Sequence, residues 1–136
     1  MTKKLPTREE KVFDVYCEVY GTNLLVLSGF SPEKVRPYLE KKYKIKWEYG
    51  EDSLKGGAIL DFPKWPYHVL WLKKGLPKVD VIPKLSHEVF HHVLTLCGEK
   101  GIPTYSKIDN LQMDEAAAYL MEFYMREILK KLKTQP

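Results

Sequence analysis

The sequence predicts an α+β fold in a single domain: a small antiparallel sheet of about three strands, with helices before and after it. Three observations carry that expectation. The chain has 136 residues, the size of one ordinary domain. Apolar residues make up 44% and charged residues 29%, a composition that can bury a core. Period-two alternation is confined to the middle of the chain, between stretches whose apolar residues recur at helical spacing.

In order, Thr7 to Tyr20 places Val12, Val15, Tyr16, Val19 and Tyr20 at helical spacing, with Thr7 and Glu10 set as a capping box and Gly21 as a stop. The apolar run Asn23–Leu27 fits a buried strand or loop packing equally, because a run that short has no readable period. Ser31-Pro32-Glu33 is a helix start, with an N-cap, a proline in the first turn and an acid at the positive end of the dipole. That helix is expected to reach about Lys42. Lys44–Tyr49 alternates as a strand, and Gly50–Ser53 is turn-like. Gly56–Phe62 and Tyr67–Leu72 form a hairpin bounded by Pro63 and Pro66, with the glycine pair marking an edge or a close backbone approach. Two long helices follow, over roughly Val81–Gly98 and from a cap at Asp109 and Gln112 to about Lys133.

Composition excludes several classes. Net charge is +4, too mild to indicate nucleic acid or an anionic membrane. The lysines around Lys34–Lys46 read as a solvated helix face. No apolar run approaches the roughly 18 residues of a membrane span, and the first residues lack the apolar core of a signal peptide. Two cysteines, Cys17 and Cys97, are too few for a disulfide framework. The expectation is a soluble cytoplasmic domain without membrane partners.

The distinctive feature is the distribution of histidine. Three of the four histidines fall in His87-Glu88-Val89-Phe90-His91-His92, which contains His-Glu-x-x-His. On a helix, residues four apart lie about 40° apart around the axis and about 6 Å along it. Both imidazoles can therefore reach one ion at the zinc–nitrogen distance of about 2.0–2.1 Å. A glutamate one residue after the first histidine flanks such an ion without ligating it and can act as a general base. Around the helix, Ile82, Leu85, Val89, Phe90, Val93, Leu96 and Cys97 form the expected buried arc. His87 and His91 face away from it with Glu88 beside them, and His92 reads as an auxiliary or surface histidine.

A catalytic zinc takes three protein ligands and leaves a position open. The downstream acids Asp114 and Glu115 lie at the start of the last helix, whose expected buried arc is Leu111, Ala118, Met121, Met125, Ile128, Leu129 and Leu132. Glu115 and Glu122 lie along one edge of that arc, and Asp114 lies near its middle. A carboxylate there is costly unless paired or metal-bound, so either Asp114 or Glu115 is a candidate third ligand.

HEVFHH on one helix, a loop, and DEAAAYLMEF on the next resemble a gluzincin-type zinc metallopeptidase. More narrowly, they are similar to small peptidases encoded by phages and prophages and to the ImmA/IrrE-like group. The resemblance covers about residues 54–130, including the Gly56-Gly57-Ala58 strand and the strand after it. It implies a minimal zincin-like fold with His87, His91 and Glu115 as zinc ligands and Glu88 as general base. Where many gluzincins carry an acid or amide four residues after the ligand glutamate, this chain has Tyr119. His68, Tyr105 and Tyr119 are candidates for stabilising an oxyanion. The implied activity is hydrolysis of a peptide or protein substrate held against an edge strand. The alternative is a non-catalytic, zinc-stabilised module that binds protein partners, for which the Met- and Tyr-rich last helix is a candidate surface.

Overall fold

Between Lys11 and Cys17, inward Phe13, Val15 and Cys17 alternate with outward Val12, Asp14 and Tyr16, the spacing of a half-buried strand rather than of a helix. The computed structural model describes residues 9–45, 57–61, 68–102 and 115–133. It contains β1 (Lys11–Cys17), β2 (Thr22–Phe30), α1 (Pro32–Tyr43), β3 (Gly57–Asp61), β4 (His68–Lys73), α2 (Lys78–Lys100) and α3 (Glu115–Lys133). The expected first helix is therefore a strand within the described residues. Its apolar positions fit both periods, and pairing decides between them: Lys11 to Cys17 run antiparallel to Ser28 to Thr22. Gly21, at φ 61°, serves the hairpin turn rather than a helix stop. Thr7 of the expected capping box lies outside the described residues.

The Asn23–Leu27 run is strand β2. Among the described residues the sheet has four strands in the order β1-β2-β4-β3, not three. It is mixed, because β2 and β4 are parallel while the other neighbours are antiparallel. The uninterrupted apolar run has a physical cause: both faces of β2 are covered. Leu24 and Val26, with Leu70 and Leu72 of β4, pack into a core shared with α2 and α3. Leu25 and Leu27, with Val69 and Trp71, pack against Val35 and Leu39 of α1. Each such side chain contributes about 1.5–3 kcal/mol on burial. Trp71 satisfies its buried indole by donating from Nε1 to the Phe30 carbonyl at 2.8 Å.

The helix from Ser31 and the hairpin strands form as expected, with β3 on the sheet edge. Lys44 corrects the expected strand start: at φ 55° it closes α1 as its C-cap. Residues 46–49, the turn at Gly50–Ser53 and the bend between the hairpin strands lie outside the described residues, as do Asp109 and Gln112. Helix α2 starts one turn earlier than expected and ends at Gly101, whose N–H is offered to the Cys97 and Gly98 carbonyls. Lys11 of β1 donates from Nζ to the Leu132 carbonyl at 3.0 Å, placing a cation at the negative end of α3.

Both amphipathic arcs are rotated from expectation. On α2, Leu85, Val89, Val93, Leu96 and Cys97 are buried, but Ile82 and Phe90 are exposed, Phe90 by 51%. The buried face turns instead towards Glu88 and His92, which have polar partners and so can be buried. On α3, Leu120, Tyr124, Ile128 and Leu132 form the buried line, with Met121, Met125 and Leu129 partly buried beside it. Ala118 is exposed, and Leu111 lies outside the described residues.

Candidate functional site

Helix α2 carries the candidate chemistry because its two sides differ. His87 and His91 are exposed, one turn apart, with Nε2 atoms 3.2 Å apart and rings nearly perpendicular at 77°. Two nitrogens on one tetrahedral zinc, each at about 2.0–2.1 Å, would stand about 3.3–3.4 Å apart. The pair thus has nearly the separation of a shared ion. At this distance two bare lone pairs repel, so a proton or a cation belongs between them. Thr95 donates to the His91 carbonyl at 2.9 Å, adding a local contact on the same face.

Glu88 lies on the inner flank. It is only 4% exposed, and its carboxylate is 3.4 Å from Nζ of Lys84, one turn back. A carboxylate shielded this far from water needs such a cation. Glu115 is the first residue of α3 and is exposed, whereas Asp114 lies outside the described residues. Among the described residues no three His, Cys, Asp or Glu side chains converge as a ligand set. His87 and His91 come together, and no acid among those residues completes a set with them. Tyr119 is exposed on α3, and Tyr105 lies outside the described residues.

The remaining two histidines form a second pair. His92 is fully buried rather than superficial. Its Nδ1 is 2.8 Å from Nδ1 of His68 on β4, and His68 Nε2 is 3.0 Å from the Glu99 carboxylate at the end of α2. With both rings neutral, one set of hydrogens satisfies these contacts. His68 donates from Nε2 to Glu99, and His92 donates from Nδ1 to His68. His92 Nε2 is then a bare lone pair, and it has no hydrogen-bond partner. The His92 ring packs edge-on against Tyr124 with centroids 4.5 Å apart. The Tyr124 hydroxyl is likewise buried without a partner of hydrogen-bonding geometry.

These surroundings set the ionisation. Burial, reinforced by neighbouring His68, lowers the His92 pKa to about 3, so this ring is neutral at physiological pH. Burial, and then the nearby Cys17, pushes the Tyr124 hydroxyl far above its ordinary value. Burial also raises the Cys97 thiol. Both cysteines are free and buried.

The motif does not mark this second cluster, yet one signal for it was present. Around α2, His92 falls only about 20° from Leu85 and about 40° from Leu96, inside the core arc. A histidine there must find a partner from another element, and the sequence does not say that His68 supplies it. No family model, no curated protein and no solved structure matches the chain. Among the described residues, no helix is long and apolar enough to cross a membrane.

Proposed function

We propose that the chain is a minimal zinc-dependent metallopeptidase of the gluzincin type, in which His87 and His91 hold the ion. The observation that carries this reading is the 3.2 Å separation of two solvent-facing imidazole nitrogens, close to that of two ligands on one tetrahedral ion. Glu115 is the proposed third ligand, carried over from the resemblance in motif order, with Asp114 the competing acid. When bound, zinc supplies Lewis acidity, polarising a peptide carbonyl and making nearby water more acidic.

The chain's own residues do the rest. Glu88 Oε accepts the proton of the attacking water and returns it to the leaving amine, and its shielding from solvent strengthens that role. Lys84, one turn back, positions the carboxylate through their 3.4 Å contact. The substrate backbone pairs with the edge of β3, the strand that packs against α2. Exposed Phe90 and Leu94 beside the histidine pair offer apolar contact to substrate side chains.

The Lys84–Glu88 ion pair also favours a second reading. If that lysine holds Glu88 away from substrate, the site is a structural zinc in a protein-binding module. Elemental analysis with peptide-cleavage assays separates the two. The peptidase reading expects about one zinc per chain, lost in His87→Ala and His91→Ala. It expects Glu88→Gln to keep the metal and lose cleavage by at least about a hundredfold. Zinc without cleavage in the unaltered chain establishes the structural site, and absence of zinc removes both readings. Loss of metal in Asp114→Ala but not in Glu115→Ala reassigns the third ligand.

A further inference from the structure

Helix α2 could pack on the sheet in either of two rotations, and hydrophobicity alone selects the one it does not adopt. Leu85, Val89, Val93, Leu96 and Cys97 serve both. Adding Ile82 and Phe90 completes the most apolar arc of the helix, whereas the arc that is buried adds Glu88 and His92. The centres of these arcs differ by about 40° around the helix axis. In the observed packing Ile82 and Phe90 remain 46% and 51% exposed, while Glu88 and His92 are 4% and 0% exposed. Two apolar side chains in water and two polar ones in the core run against the energetics of burial. A specific contact must hold the helix where it is.

Lys84 cannot be that contact, because its ion pair with Glu88 is made within α2 and turns with it. Ser86 reaches Sδ of Met125 on α3 at 3.9 Å, but a thioether is a weak acceptor. His68 of β4 is different. It shares a sheet face with Leu70 and Leu72, which lie in the core shared with α2 and α3, and it is itself buried. Its ring meets α2 at two points: Nδ1 lies 2.8 Å from Nδ1 of His92, and Nε2 lies 3.0 Å from the Glu99 carboxylate. Residues 92 and 99 are two turns apart and about 20° apart around the helix, so both points fall on one line along its axis. A turn of about 40° would carry a group 5–6 Å from the axis through roughly 4 Å. Neither contact would survive it.

We propose that His68 is a positioning residue that sets the rotation of α2 about its axis. Clamped between His92 and Glu99, it holds His87 and His91 outward, keeps Glu88 shielded and leaves Phe90 exposed. The packing it opposes turns Ile82 and Phe90 inward and brings Glu88 and His92 towards water. Directional polar contacts can choose between packings that apolar burial ranks in the opposite order. The consequence for catalysis rests on the zinc reading: His68 then fixes the shielding of the proposed base and the presentation of Phe90 to substrate. The rotation itself needs no metal.

The test uses the full chain labelled with fluorophenylalanine, and reads the exposure of Phe90 from the broadening of its fluorine signal by a soluble gadolinium chelate. His68→Leu leaves both ring nitrogens of His92 without a partner in the core, which drives that ring outward, and broadening at Phe90 should fall at least about threefold. The signal of buried Phe30 and the circular-dichroism spectrum should not change. His68→Gln is the conservative variant, because its carbonyl can accept from His92 while its amide donates to Glu99. It should keep the broadening of the unaltered chain. Undiminished broadening in a folded His68→Leu protein overturns the proposal, as does a His68→Gln protein in which Phe90 is as protected as in His68→Leu. If His68→Leu does not fold, Glu99→Ala, which alters a half-exposed side chain, decides the matter: broadening at Phe90 should fall by about half, and no change overturns the proposal. The readout needs no metal, so absence of zinc would remove the peptidase reading and leave the rotation to be decided by Phe90.

Discussion

The four histidines meet as two pairs, and members of the two pairs are neighbours on the same helix. His87 and His91 stand in water with two nitrogens 3.2 Å apart. His92 lies buried against Tyr124 and bonded to His68 at 2.8 Å. The same side chain thus serves opposite ends through a rotation of about 100° per residue. On the outside, the two rings are exposed to solvent, and holding a cation there costs little structure. On the inside, the ring is part of the packing, and its ionisation is tied to the stability of the fold. Histidine content says little until each ring is assigned to a side of its helix.

Removing the inner ring should have the largest effect. His92→Ala leaves a cavity beside Tyr124 and strips His68 of its partner, and should cost about 2–4 kcal/mol in urea unfolding. A loss under about 0.5 kcal/mol would show that the His92–His68 contact does not help hold the core together.

Acid should act next most strongly, through His92. His92 has a folded pKa of about 3, below its unfolded value near 6.5. Between those values the unfolded chain binds the proton and the folded one does not. Stability is therefore complete above about pH 6.5 and falls as the pH drops towards 3, by up to about 1.4 kcal/mol per pH unit from this group. Urea midpoints between pH 7 and 5 should show the fall, and His92→Phe should flatten it even if it lowers overall stability.

Tyr124→Phe removes a buried hydroxyl that has no hydrogen-bond partner. It should be neutral or stabilising by up to about 1 kcal/mol; a clear loss would reveal a bond from that hydroxyl that the present geometry lacks. The smallest effect belongs to the outer pair. Without metal, His87→Ala and His91→Ala should shift stability by no more than about 0.5 kcal/mol. Added zinc should raise the Tm of the unaltered chain and of neither variant, a difference that scanning calorimetry reads directly.

The sequence held much of this, unevenly. The α1 start was legible at Ser31-Pro32-Glu33 because caps are local chemistry. The hairpin of β3 and β4 was legible because prolines and glycines punctuate it. β1 was not, since Val12, Val15, Tyr16 and Val19 fit a helix as well as a strand, and the structure leaves Val12, Tyr16 and Val19 exposed. Nor was β2, whose double burial erases the alternation that marks a half-buried strand. Ile82 and Phe90 were misplaced because hydrophobicity alone ranks them above Glu88 and His92, and only partners from Lys84 and β4 reverse that order.

By itself the sequence determined that His87 and His91 share one face of a helix, because an i, i+4 pair is fixed by helical pitch, which needs no neighbour. Only the tertiary structure decided that Lys11–Cys17 is a strand, that β2 runs parallel to β4, and that His92 turns inward to His68. Each of those outcomes depends on contact between residues distant in the chain, and such contacts leave no period in the sequence.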